Sequence, residues 1–171
     1  VGVDAVSAFN SLPEDQLADD LTAVLAAPAY GERLLAGRPY AGRDEIAAAG
    51  DAAAASLGWA DVATALAAHP RIGERKAGDG TDAAWSRREQ STAAETADDE
   101  TRRALAAVNG AYEERFGHVF LIFATGRSQA EILAAARERL ANDDETERAV
   151  VTGELRRIAR LRLERLLDAL G

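Results

Sequence analysis

Cysteine and methionine are both missing from these 171 residues, histidine occurs twice, and aromatic side chains make up only 5%. The lack of cysteine excludes disulfides, thiolate–zinc sites and thiol nucleophiles. With no methionine even at position 1, the numbering is expected to begin after a trimmed start or a tag. The histidines, His69 and His118, stand 49 residues apart, which is no recognisable metal spacing, so no metal is expected. Long apolar runs are lacking as well. None approaches the ~20 residues of a bilayer-spanning helix, and no charged-then-apolar leader precedes the first helix. Ala169-Leu170-Gly171 is not a peroxisomal address. A bacterial-type cytoplasmic protein is the expectation. Basic charge is in deficit, with 20 Lys and Arg against 29 Asp and Glu, a net charge of -9. An acidic surface attracts neither nucleic acid nor an anionic membrane, so neither is expected as a partner. An anionic small molecule would need a local cationic pocket.

What is present is helix-forming. Hydrophobic residues supply 47% of the chain, enough for a globular core, and the length fits a single domain over 1–171. Alanine, leucine, glutamate and arginine dominate, so the expected class is all-α, a multi-helix bundle. Asn10, Ser11 and Pro13 read as the start of a first helix near 13–26. A turn is expected from Pro28 to Gly31, then a short helix before Arg38-Pro39-Tyr40. Asp44 reads as the cap of a helix over 45–57, and Asp61 as the cap of one over 62–68 that stops against Pro70. Gly73 to Thr81 reads as a loop, with helices following over 82–96 and 99–116. Gly117 fits the C-terminal cap of the second. Ser128-Gln-Ala-Glu131 is a capping box for a helix over 129–141, and a last helix runs over 145–170. His118-Val-Phe-Leu-Ile-Phe-Ala124 is the most apolar run, and its residue types favour extended structure. No comparable second strand exists to pair with it. Its backbone groups must be met by a polar ligand or by side chains, unless the run is a short buried helix.

Few residues can carry chemistry. His69 lies seven positions after Val62 and continues the inward face of the 62–68 helix. Pro70 restricts its backbone, and the helix C-terminus favours imidazolium. It is either a titrating group or a core histidine bonded to a carbonyl. Ser86, Glu89 and Gln90 fall at i, i+3 and i+4 and share one helical face. They form either a polar wall or, through Ser86-Arg-Arg-Glu89, another capping box, or Glu89 simply pairs with a nearby arginine. On a wheel of about 100° per residue, Arg162 sits among Val151, Leu155, Ile158, Leu166 and Leu170. Arg156, Arg157, Arg160 and Glu164 fall opposite. A guanidinium amid leucines implies an anion, either a ligand or a carboxylate such as Glu89. His118 reads as structural. Asp98-Asp99-Glu100 and Asp143-Asp144-Glu145 suit helix N-termini.

These pieces together resemble the 2-oxo-4-hydroxy-4-carboxy-5-ureidoimidazoline (OHCU) decarboxylases. His69-Pro70-Arg71-Ile72-Gly73 followed by Ser86-x-x-Glu89-Gln90 carries the resemblance. Arg38-Pro39-Tyr40, Asn109-x-x-Tyr112-x-x-Arg115-Phe116-Gly117, the apolar run with Ala124-Thr-Gly126-Arg127-Ser128, and Ile158-Ala-Arg-Leu-Arg162-Leu163 extend it over about residues 8–168. Tyr40 stands where the family is expected to have phenylalanine. The resemblance implies an all-α fold, a homodimer, and no metal or organic cofactor. It makes His69 catalytic and Glu89 a substrate contact, to which the implied reaction adds the catalytic task of keeping His69 protonated. It gives substrate contacts to Pro70, Ser86, Gln90 and Arg162, and to the backbone around Phe120, Ile122 and Ala124.

The implied substrate carries its carboxylate beta to a ring imine. That imine is a built-in electron sink, so decarboxylation needs no cofactor. Loss of carbon dioxide leaves an enol-like intermediate, and protonation at the ureido-bearing carbon gives allantoin. Two other readings remain at this point. A non-enzymatic helical interaction module would show an exposed hydrophobic patch rather than an inward arginine. A ureido-compound hydrolase on the same scaffold would need an activated water.

Overall fold

The computed structural model describes residues 4–72, 81–90 and 98–171. Nine helices and no strand occur among the described residues, as the composition predicts. They are α1 (Ala5–Ser11), α2 (Glu14–Val24), α3 (Pro28–Ala36), α4 (Arg43–Ala55), α5 (Trp59–Leu66), α6 (Thr81–Glu89), α7 (Asp99–Phe116), α8 (Gln129–Arg139) and α9 (Asp144–Leu170). The chain divides into two compact units. The first comprises Val1–Ala65 with Arg156–Gly171, the second Leu66–Leu155.

In the first unit α2 packs on α3 and α3 on α4. Leu17, Leu21 and Val24 repeat at helical spacing and are all buried. Helix α1 is not expected from the sequence. It has one turn's worth of local support, with the Asp4 carboxylate accepting from the Ser7 N–H at 3.4 Å. The rest is long-range. Arg38 donates to the carbonyls of Phe9, Asn10 and Leu12 at 3.2, 3.3 and 2.8 Å, which closes the helix C-terminus. Asn10 in turn accepts from the Tyr40 N–H at 2.7 Å and donates to the Tyr40 carbonyl at 2.8 Å. The Arg38-Pro39-Tyr40 motif therefore fastens the chain's first helix.

Several expected boundaries move. The turn expected at Pro28–Gly31 is the first turn of α3, with Pro28 at its N-terminus, a position where a missing N–H is harmless. Helix α4 is capped by Gly42 and holds Asp44 in its first turn. Helix α5 likewise holds Asp61 in its first turn and ends at Leu66. His69 lies beyond it in a turn, its N–H reaching the Leu66 carbonyl at 3.0 Å.

The second unit packs α7 against α8. Helix α7 ends as predicted at Gly117, whose φ of 80° lies in the left-handed region. The Ser128–Glu131 capping box forms in full at the start of α8. Between them the apolar run is neither helix nor strand. Phe120, Ile122 and Ala124 enter a hydrophobic cluster with Ile72, Leu105, Val108, Tyr112, Ile132, Leu133 and Ala136. Of the loop expected from Gly73 to Thr81, Thr81 instead opens α6, while residues 73–80 and the part of the next expected helix beyond 90 lie outside the described residues.

Candidate active site

The second unit contains every predicted site residue except Arg162. His69 and Pro70 are half-buried in the turn after α5. Helix α7 holds the residues that follow. Asn109 donates from Nδ2 to the Ile72 carbonyl at 3.0 Å in a buried setting. One turn on, Glu113 takes a two-pronged contact from Arg71, Nε to Oε1 at 2.6 Å and a terminal guanidinium nitrogen to Oε2 at 3.0 Å. Asn109 and Glu113 stand at i and i+4, so one face of α7 fixes the backbone just after His69. Ile72 also joins the cluster that contains Phe120, Ile122 and Ala124. The histidine segment and the apolar run thus share one core.

Helix α6 presents Ser86 and Glu89 inward, at 4% and 9% exposure, while Arg87 and Arg88 on its other side are exposed. Gln90 follows, half-buried. The alternative capping box is ruled out by position. The helix begins at Thr81, so Ser86 lies in its interior and Glu89 closes it. A hydroxyl and a carboxylate are thus buried on the inward face of a helix whose other side is cationic.

The apolar run shows how its backbone is satisfied. Arg139 donates to the Leu121 carbonyl at 2.7 Å. The Phe123 N–H donates to Glu154 at 3.1 Å, and Arg127 donates to the Phe123 carbonyl at 3.1 Å. The side chains of Phe120, Ile122 and Ala124 are committed to the core, so their contribution to a ligand would come from backbone. His118 stacks edge-on against Tyr112 and bonds its neighbour's carbonyl, a structural role.

Arg139 and Glu147 form a buried ion pair that no motif in the sequence announces, with Nε to Oε1 at 2.7 Å. Tyr112 donates its hydroxyl to the same oxygen at 2.6 Å, and Asn142 donates to the other at 3.0 Å. The guanidinium also lies 4.5 Å above the Phe120 ring. Burial, then the hydrogen bond and charge of Glu147, pushes the Tyr112 phenol well above its ordinary range.

Arg162 lies in the first unit, 4% exposed, on the face of α9 the wheel predicts. Val151, Leu155, Ile158 and Leu166 are buried with it, while Arg156, Arg157, Arg160 and Glu164 are exposed. One of its terminal nitrogens donates to the Ala23 carbonyl at 3.1 Å. Among the described residues no three His, Asp or Glu side chains gather into a group able to hold a metal ion. No helix among them is long and apolar enough to cross a membrane.

Known proteins resemble this chain in sequence and fold. The family model for OHCU decarboxylase matches residues 10–164. A 2-oxo-4-hydroxy-4-carboxy-5-ureidoimidazoline decarboxylase of Amia calva is 31% identical over 93% of this chain and 92% of its own length. One from Haloferax volcanii is 30% identical over 90% of each. The uric acid degradation bifunctional protein TTL of Arabidopsis thaliana is 30% identical over 81% of this chain, and the match spans only 44% of that longer protein. Among solved structures, an OHCU decarboxylase crystallised in the presence of (S)-allantoin superposes with a TM-score of 0.76 at 26% identity, covering 88% of this chain and 98% of that one. An (S)-allantoin synthase superposes at 0.72 over 97% of this chain and 55% of its own, and at 20% identity it shows the fold alone.

Proposed function

This chain belongs to the OHCU decarboxylase family, and from that premise we propose that His69 and Glu89 are the groups through which it acts. The reaction is that of a carboxy-lyase in urate degradation. Carbon dioxide leaves 2-oxo-4-hydroxy-4-carboxy-5-ureidoimidazoline and (S)-allantoin forms. The C–C bond to the carboxylate breaks, its electron pair enters the ring imine, and a proton is added at the ureido-bearing carbon.

The burial of Ser86 and Glu89 on the inward face of α6 is the observation that best supports the residue roles. A buried carboxylate has to be paired or hydrogen-bonded, and a substrate hydroxyl or ureido group can be one of its partners. In this reading His69 polarises the substrate and supplies the proton, acting as a general acid. Glu89 holds the substrate hydroxyl or ureido group and favours the imidazolium by its charge. Ser86, Gln90 and Pro70 fix the ring, and backbone around Phe120, Ile122 and Ala124 meets its carbonyl and N–H groups. Arg162 grips the anionic edge of the substrate. The inward arginine and the buried polar wall are features a passive interaction module has no use for. We further propose a homodimer working in the cytoplasm, with light scattering at twice the 18.1 kDa chain mass as the test of assembly.

The substrate is too unstable to store, so the assay makes it in place from urate with urate oxidase and hydroxyisourate hydrolase. Circular dichroism then follows allantoin. Rapid formation of one enantiomer is expected with this protein. His69→Ala and Glu89→Ala should each fold and lose ~10²–10⁴ in rate. Near-wild-type turnover in either purified variant sinks its assigned role.

A further inference from the structure

We propose that Arg139, held in place by Glu147, and Glu154 are positioning residues that aim the backbone of Ile122 at the substrate. The inference rests on the reading of the run 118–124 as part of the active site.

Side chains take backbone groups on either side of Ile122. Arg139 takes the Leu121 carbonyl at 2.7 Å, Glu154 takes the Phe123 N–H at 3.1 Å, and Arg127 takes the Phe123 carbonyl at 3.1 Å. Ile122 is 3% exposed, and among the described residues no hydrogen bond engages its N–H or its C=O. A buried donor and acceptor left side by side cost several kcal/mol in principle. A ligand with an adjacent acceptor and donor, as in a cyclic or open urea, answers both at once.

The clamp is built to be stiff. Glu147 is fully buried and fixes the Arg139 guanidinium from one side, with Tyr112 and Asn142 holding the carboxylate in turn. Phe120 lies under the guanidinium plane. An apolar pair of similar volume would fill the same space without any of this, and buried ion pairs replaced in that way often lose no stability. The pair is therefore kept for geometry, because only a fork-shaped donor reaches the Leu121 carbonyl while bonding Glu147.

That distinction gives the test. Arg139→Met alone leaves Glu147 buried and unpaired and is expected to be strongly destabilised. The double variant Arg139→Met/Glu147→Leu removes both charges and is expected to recover much of the thermal stability. Its kcat/KM in the coupled urate assay is expected to stay down by about 10²-fold, the scale of a misplacement near 1 Å. Recovery of both stability and turnover in the double variant would overturn the proposal and leave the pair a packing element. A second arm covers the case in which the double variant does not fold. Glu154→Ala, at a half-buried position, should keep a normal melting temperature and raise KM at least several-fold. Unchanged KM and kcat there would also overturn it. Wild-type protein runs alongside. If wild type fails to speed allantoin formation, the active-site reading has failed. If wild type is active and the variants match it, only the positioning role has failed.

Discussion

The residues that govern His69 are two and three positions away from it, and they differ in how strongly they hold. Asn109 meets the Ile72 carbonyl in a buried place, whereas Arg71 is half in solvent where it meets Glu113. Removing the first leaves a buried carbonyl without its donor, a cost of roughly 1–3 kcal/mol. An ion pair near the surface contributes about 0–1 kcal/mol. Urea unfolding should therefore rank Asn109→Ala well below Glu113→Ala in stability, and Asn109→Ala should also slow turnover by loosening the histidine turn. Equal costs would mean the two tethers are not partitioned by burial. Tyr40 replaces an expected phenylalanine, and the structure supplies the reason: its hydroxyl donates to the Leu34 carbonyl at 2.8 Å. Tyr40→Phe should cost about 0.5–1.5 kcal/mol and leave activity alone. Arg162 was legible because a charge on an apolar helical stripe is anomalous. The same wheel applied to α8 and α9 would have found Arg139, seven after Ile132, and Glu147, four before Val151. Both fall on inward faces. The signal was present, and it shows only when the two helices are read as partners.

At the level of elements, local chemistry was readable and remote support was not. Helix α7 and the start of α8 fall where their caps place them, because Asp98, Gly117 and Ser128 act within four residues of themselves. These caps are also where substitutions should tell. Gly117→Ala forces a Cβ into the left-handed region, worth about 1–2 kcal/mol, and Ser128→Ala removes a cap worth about 0.5–2 kcal/mol. Thermal denaturation of each checks the value, and a loss outside those ranges would mean the cap is not what fixes the end. Helix α1 escaped notice because seven residues cannot sustain a helix alone. Its C-terminus is closed by Arg38, 26 to 29 positions along the chain. The apolar run, expected to be extended and without a ladder partner, is neither helix nor strand. Which side chains take its backbone groups depends on α8 and α9 arriving at it, and no local pattern encodes that.

For the molecule as a whole, each compact unit carries a deeply buried tyrosine, and this sets its response to alkali. Tyr30 belongs to the first unit and Tyr112 to the second. Burial is the main cause raising both phenols above their ordinary value of 10. The Asp51 charge adds to it at Tyr30. The hydrogen bond and charge of Glu147 add to it at Tyr112, against the opposing pull of Arg139. The unfolded chain releases these protons near pH 10, while the folded chain keeps them. Above that point the folded state holds more protons than the unfolded one, so stability falls as pH rises. Their contribution is complete below about pH 10 and is lost as pH climbs toward the folded-state values. The two tryptophans allow each unit to be followed separately, since Trp59 lies in the first and Trp85 in the second. Urea unfolding of single-tryptophan variants should show stability level to about pH 10 and declining beyond it. Tyr112→Phe should make the decline reported by Trp85 shallower. It should also lower stability below pH 10, by about 1 kcal/mol, through the donor taken from Glu147. A decline at Trp85 as steep as in the parent would assign the alkaline loss to some group other than the phenol that braces the Arg139–Glu147 pair.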